Sequence, residues 1–246
     1  MIGAIIQERR SRLWQTTAVG KRQESRRRIE AAIVEIGRRH LVTEGAAGLS
    51  LRAVARELGM VSSAIYRYVA DRDDLLTLLV VDAYSELADA VDQAAAGLSV
   101  ESDWRTRLSE MAYAVRRWAI DQPARWALLY GSPVPGYHAP AERTVGPGTR
   151  VAAALFSAVA EGVAAGAVGE SGYAVAQPLS SDFDRLRAEF DFPGGDGALA
   201  KCFLLWAALV GAVSLEVFGQ YGADTLTNPR LVFEVQIRLL VDVLAT

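Results

Sequence analysis

Cysteine and histidine are almost missing from this chain. It has one cysteine, Cys202, and two histidines, His40 and His138, among 246 residues. A lone cysteine cannot close an intramolecular disulfide, and two distant histidines do not make a Cys/His zinc site. A disulfide scaffold and a structural zinc domain are therefore excluded, and no metal or cofactor is expected. Glycine at 21 and proline at 8 are too sparse for a fibrous or low-complexity protein. Long hydrophobic runs are also lacking. The longest uncharged apolar stretch lies between Lys201 and Glu216 and holds 14 residues, against about 20 for a spanning helix. The opening Met1-Ile2-Gly3-Ala4-Ile5-Ile6 runs straight into Gln7, Glu8, Arg9 and Arg10, too short for a signal peptide and with the charges on the wrong side. The expectation is a soluble, cytoplasmic protein with no membrane partner.

What is present is ordinary globular material: 51% hydrophobic and 22% charged residues. The net charge of −3 hides a split. Residues 1–70 hold 13 Lys+Arg and 6 Asp+Glu, whereas residues 71–246 hold 13 and 23. A basic first quarter on an acidic remainder points to a nucleic-acid-binding head on a body that does not touch the nucleic acid.

Apolar residues recur at helical spacing throughout, and runs alternating apolar and polar are short, so the fold class is all-α. Three parts are expected: a basic arm over 1–24, a DNA-binding domain over 25–71 and a helical body over 72–246. In the arm, Ile2, Ile6, Leu13 and Trp14 fit one helical face, although Thr16-Thr17 and Gly20 weaken it, and an arm that orders only on DNA is the equal alternative. In the head, helices are predicted over 25–43, capped by Ser25, then 51–58 and 62–68. In the body they are predicted over 72–96, 103–121, 123–130, 149–165, 181–190, 197–219 and 229–244. Gly131 to Gly148, with prolines at 133, 135, 140 and 147, reads as a loop.

Residues 51–68 carry the function. Two short helices flank the turn Gly59-Met60-Val61. Ala55 is small where the helices cross, and Val54, Leu58, Val61 and Ile65 are the expected small core. This is a helix-turn-helix, whose second helix enters the major groove of double-stranded DNA. Ser62, Ser63 and Arg67 are the base-reading candidates, since serine hydroxyls donate or accept and arginine makes bidentate contacts with guanine. Ser50 and Arg52 sit at the start of the first short helix, where phosphate binding competes with simple capping for Ser50.

Residues 25–76, about a fifth of the chain, resemble the DNA-binding domain of the TetR family of bacterial transcriptional regulators. The run Leu51-Arg52-Ala53-Val54-Ala55-Arg56-Glu57-Leu58-Gly59-Met60-Val61-Ser62-Ser63-Ala64-Ile65-Tyr66-Arg67-Tyr68 carries the likeness and continues through Val69 and Arg72 to Leu75-Leu76. Val69 stands where the family has Phe and Arg72 where it has Lys. The resemblance implies phosphate contacts for Tyr66, Tyr68 and Arg72. It also implies a ligand-responsive homodimer on a palindromic operator, with repressor as the usual sense. The body looks like a subgroup with a Trp-His-Gly signature: Trp206 and Gly211 match, and Val210 stands where the histidine is expected.

The apolar helix 202–215 needs burial on every side. Ala207, Gly211 and Ser214 form a small-residue stripe on it. Leu231, Val235, Leu239 and Val243 line the last helix. Two such helices from each chain would make a four-helix dimer interface. A body this rich in large rings also suggests a pocket for a small apolar effector, lined by Met111, Trp118, Trp126, Tyr130, Phe156 and Trp206, with Tyr137 as a lid. Each of these rings is core by default, and the pocket follows from the family resemblance. No phosphate-cradling or nucleophile motif is present, so an enzyme is not expected. The competing reading is a protein-interaction module with a vestigial head.

Overall fold

In the computed structural model the described residues are 2–246, with side chains from Gln23 onward. The arm face of Ile2, Ile6, Leu13 and Trp14 therefore lies outside the described side chains. Ten helices and no strands are found among the described residues: α1 (Ile2–Gly48), α2 (Leu51–Glu57), α3 (Ser62–Ile65), α4 (Arg72–Ala96), α5 (Trp104–Asp121), α6 (Pro123–Tyr130), α7 (Ala141–Ala164), α8 (Leu179–Phe190), α9 (Asp196–Val217) and α10 (Pro229–Ala245). The fold is all-α.

The chain divides into two units. Unit 1 comprises residues 1–79 with Val134–His138, and unit 2 comprises Val80–Pro133 with Ala139–Thr246. Helix α4 is continuous through the boundary at Leu79/Val80, eight residues beyond the expected junction at 71/72.

In unit 1 the apolar residues that recur along α1, α2 and α4 meet in one core. Ile33, Ile36, Val54, Ala55, Ile65, Val69, Leu75 and Leu76 are all buried. Ser25 does not open a helix, because α1 runs through it. The break comes instead at Gly45, whose φ of 67° and ψ of 173° interrupt the helix. The start of α4 is fixed by two carboxylates. Asp71 Oδ1 accepts from Asp74 N at 2.8 Å, and Asp74 Oδ2 accepts from Ala70 N at 3.0 Å.

In unit 2, α5 is central and packs on α6, α7, α9 and α10. Asp103 caps α5 by accepting from Thr106 N at 2.9 Å. Trp104, Leu108, Met111, Val115 and Trp118 follow at helical spacing and are buried. Gly162 of α7 lies so close to Trp104 that an added Cβ would stand 2.9 Å from the indole. Helix α9 is long and apolar enough to cross a membrane by length and composition. Here it packs on α5, α7, α8 and α10, and it carries a buried lysine, Lys201, whose Nζ donates to Gly169 O at 2.9 Å.

One expected loop is helical. Helix α7 begins at Ala141, not at Thr149, and contains Pro147. Gly146, Pro147 and Gly148 are loop signals that packing overrides. Thr144 is buried and donates to Pro140 O at 2.9 Å, and Gly148 lets the helix approach Tyr84, whose ring would lie 3.2 Å from an added Cβ.

Candidate nucleic-acid interface and ligand-binding body

The helix-turn-helix is set by its turn. Gly59 has a φ of 67°, in the left-handed region that glycine adopts without strain. Met60 N donates to Ala55 O at 2.9 Å and Gly59 N to Arg56 O at 3.1 Å, the bonding of a Schellman stop. Helix α3 then begins at Ser62. Beyond Ile65 it continues only as turns, with Tyr68 N donating to Ile65 O at 2.9 Å. The second helix is thus shorter than the expected 62–68. Leu51, Val54 and Ala55 of α2 and Ile65 of α3 face inward.

Val61 does not join that core. It is 71% exposed, because it is the N-cap residue of α3 and points off the turn. Val69 is fully buried in the unit 1 core.

Arg52, Ser62, Ser63, Tyr66 and Arg67 are exposed, and none of their side chains is engaged by another described residue. Each carries a hydroxyl or a guanidinium group. Ser50 acts as the N-cap of α2, its hydroxyl accepting from Ala53 N at 3.5 Å. Arg72 has partners within the head. Its Nη2 donates to Ala46 O at 2.9 Å and to Ala47 O at 3.2 Å, so its guanidinium ties the end of α1 to the start of α4. Tyr68 is half-buried, and the Arg26 guanidinium lies 5.8 Å from its ring centroid. Arg26, which also pairs with Glu30 at 2.7 Å, therefore stands beside the helix-turn-helix. Glu57 of α2 joins the two helices by pairing with Arg39 and, at 2.9 Å, with His40 of α1. The hydrogen bond from Arg39, followed by that from His40, holds the Glu57 carboxyl below its usual range.

In the body, Tyr130 is the hub of an aromatic cluster. Its ring lies 4.4 Å from Trp126, 6.0 Å from Trp206 and 6.3 Å from Tyr84, centroid to centroid. Trp126 Nε1 donates to Ser214 Oγ at 3.1 Å. The Tyr130 hydroxyl is buried and has no hydrogen-bond partner among the described residues. Burial, with Tyr84 as a lesser cause, raises its pKa well above the usual phenol value.

Two further expected lining residues have partners outside the Tyr130 ring cluster. Phe156 pairs with Phe203, which stacks on Phe183 at 5.5 Å. Tyr137 belongs to unit 1, where its hydroxyl is 3.1 Å from Thr77 Oγ1. Met111 and Trp118 are buried in the body, and Trp118 Nε1 donates to Glu86 at 3.1 Å.

The last helices expose apolar side chains. Leu231, Val235 and Leu239 on α10 are 55%, 52% and 59% exposed, and Val243 continues the stripe. On α9, Ala207 is exposed, and a Cβ added to Gly211 would meet nothing within 4 Å. Ser214, the third residue of the expected stripe, accepts from the Trp126 indole of its own chain. Leu204, Leu215 and Phe218 widen the exposed α9 face.

A family model described as tetracyclin repressor-like, C-terminal domain, matches residues 108–240. An HTH-type transcriptional regulator of Mycobacterium tuberculosis strain H37Rv is 62% identical over 231 residues, covering 94% of this chain and 98% of that protein. The chain belongs to the TetR family of transcriptional regulators. A like-named regulator of Mycobacterium bovis matches to the same extent. The crystal structure of the regulatory protein SCO4313 is 32% identical, covers 89% of this chain and 98% of its own, and superposes with a TM-score of 0.72. The regulator FadR from Bacillus subtilis, solved with stearoyl-CoA, shares the fold at 12% identity. That match covers 86% of this chain and 97% of FadR, with a TM-score of 0.59.

As a TetR regulator the chain is a helix-turn-helix transcription factor and not an enzyme. The most buried charged side chain of its body escaped the sequence reading. Arg125 of α6 is 3% exposed and lies among Asp82, Glu86 and Trp118. Its signal was present but weak: an arginine within an otherwise apolar turn, Trp126-Ala127-Leu128-Leu129, opposite acidic residues spaced i, i+4 on α4.

Proposed function

We propose that this TetR regulator is a homodimeric repressor that leaves a palindromic operator when a small, largely apolar effector enters the body. The observation carrying the DNA-contact assignment is the set of uncommitted side chains on the helix-turn-helix surface. Ser62, Ser63 and Arg67 read bases, while Arg52 and Tyr66 hold phosphates. Ser50 adds its helix N-terminus, and Tyr68 with Arg26 flanks the reading helix. Arg72 acts through the architecture of the head rather than by direct contact.

The exposed stripes of α9 and α10 support the dimer. Four such helices about a twofold axis would remove them from water, and the twofold explains why the operator is an inverted repeat. The effector reading rests on the Tyr130 cluster. A buried hydroxyl without a partner costs stability, and a ligand acceptor would satisfy it. FadR, a regulator of the same fold, was solved with stearoyl-CoA, whose acyl chain is apolar, and this supports the effector reading. Tyr84 lies on α4 and Tyr130 on α6, so a ligand that displaces the Tyr130 ring also moves α4, which is continuous into unit 1. Full release needs about 5.5 kcal/mol of ligand preference between the two states. The protein acts in the cytoplasm.

The deciding experiment is to sequence the DNA that the purified protein retains from a random pool. An inverted repeat is expected. A pool without enrichment would overturn the operator reading.

A further inference from the structure

The body is acidic, yet one cavity in it is basic. Residues 71–246 carry 13 Lys+Arg against 23 Asp+Glu. Four of those arginines, Arg116, Arg117, Arg230 and Arg238, line a cavity of about 430 Å³ between α5 and α10. Two glutamates, Glu110 and Glu234, share its lining. Two of the four are paired with carboxylates, and the other two leave a small excess of positive charge that an anion would offset.

The pairing pattern says which arginines are available. Arg116 is fixed by Glu216 outside the lining, its Nε donating to Oε2 at 2.7 Å. Arg230 Nε donates to Glu234 at 2.8 Å. Arg117 and Arg238 form no ion pair with a described residue and are exposed. The wall beneath is aromatic. Tyr113 and Phe233 have centroids 6.0 Å apart, and the Arg116 guanidinium lies 5.7 Å from the Phe233 ring centroid.

We propose that this cavity binds a small organic anion whose acid group pairs with Arg117 and Arg238 and whose ring lies against Tyr113. The planar forks of arginine suit a carboxylate, sulfonate or phosphate, and the volume falls in the range of small-molecule sites. None of these residues belongs to the Tyr130 cluster, so the site is separate from the apolar effector region and does not depend on it.

The test is calorimetric titration of the full-length protein with naphthalene-2-sulfonate and with its neutral counterpart, 2-naphthylmethanol. The sulfonate is expected to bind. The double variant Arg117→Gln/Arg238→Gln should weaken it at least tenfold, and the alcohol should not compete. Both substitutions are at exposed positions, so folding should be intact, which circular dichroism checks. Arg67→Gln controls for the basic head and should leave the titration unchanged. Equal affinity in the double variant, equal binding of the alcohol, or loss of binding in Arg67→Gln would each overturn the proposal.

Discussion

Arg125 Nη1 donates to Glu86 Oε1 at 2.6 Å, and this pair joins α6 to α4 inside the body. A second bond, Nη2 to Asp82 Oδ2 at 2.9 Å, makes the arginine a clamp on two turns of α4. The Trp118 ring lies 5.2 Å from the guanidinium and adds a cation–π contact. Removing one partner of a buried pair costs about 3–5 kcal/mol. The Glu86 side chain is 37% exposed and Asp82 23%, so water will recover part of that loss. Arg125→Met should therefore destabilise the protein by about 2–4 kcal/mol, read from denaturant midpoints. A change below about 0.5 kcal/mol, the usual size of surface effects, would show that the clamp contributes nothing.

On DNA, Arg67→Ala should cost about 1–3 kcal/mol at the operator and relax preference at one base position in each half-site. Tyr66→Phe should weaken binding without changing preference, since a phosphate contact positions only. Affinity of both variants and of the parent should fall steeply with salt. Binding titrations on the selected operator and on single-base variants separate the two effects. If Arg67→Ala binds with unchanged affinity and preference, base reading lies elsewhere on the surface.

The dimer has an unusually clean test. A Cβ at Gly211 meets nothing within 4 Å in the single chain. Gly211→Leu therefore starts from open space in the single chain and is expected to act mainly where a partner helix packs, with circular dichroism checking the fold. The variant should scatter light as a monomer at concentrations where the parent is a dimer. A stable dimer of unchanged mass would move the interface away from α9.

The fold class and the position of the helix-turn-helix were legible because both rest on local signals: helical spacing, the Gly59 stop and the capping residues. Val61 was misread as core because a valine beside a turn looks apolar in sequence, whereas the N-cap geometry of α3 turns it outward. The contacts of Arg72 escaped the sequence for a different reason. Its partners, the carbonyls of Ala46 and Ala47, lie 26 and 25 residues upstream, and backbone acceptors leave no trace in side-chain patterns. The stripe Leu231, Val235 and Leu239 was readable from its spacing of four. Ser214 was not, because only tertiary packing brings it to the Trp126 indole. Long-range pairings such as Arg116 with Glu216 and Arg125 with Glu86 likewise have no local signature.

Cys202 is fully buried, and burial pushes its thiol up to about 12. At pH 8 only about one thiol in ten thousand is then thiolate, the reactive form. The native protein should show no reaction with a thiol reagent such as dithionitrobenzoate over minutes, and one thiol should titrate once the chain is unfolded in guanidinium. Rapid reaction of the folded protein would mean that α9 opens locally and would make a redox role worth pursuing.

Tyr130 gives the sharpest test of the effector reading. Its hydroxyl is buried without a partner among the described residues, and such a group costs about 1–3 kcal/mol. Tyr130→Phe removes the hydroxyl and keeps the ring contacts with Trp126, Trp206 and Tyr84. The ligand-free variant should accordingly be as stable as the parent or more stable by up to about 1–2 kcal/mol. An effector that accepts from the hydroxyl should bind the variant more weakly, by about 0.5–1.5 kcal/mol for one lost hydrogen bond. Denaturant midpoints read the first quantity. Quenching of tryptophan fluorescence reads the second, since Trp126 lies 4.4 Å from Tyr130. Destabilisation by more than about 1 kcal/mol would show that the hydroxyl has a partner in the free protein. An effector that quenches Trp126 and releases the operator equally well from both proteins would place its polar anchor at another residue.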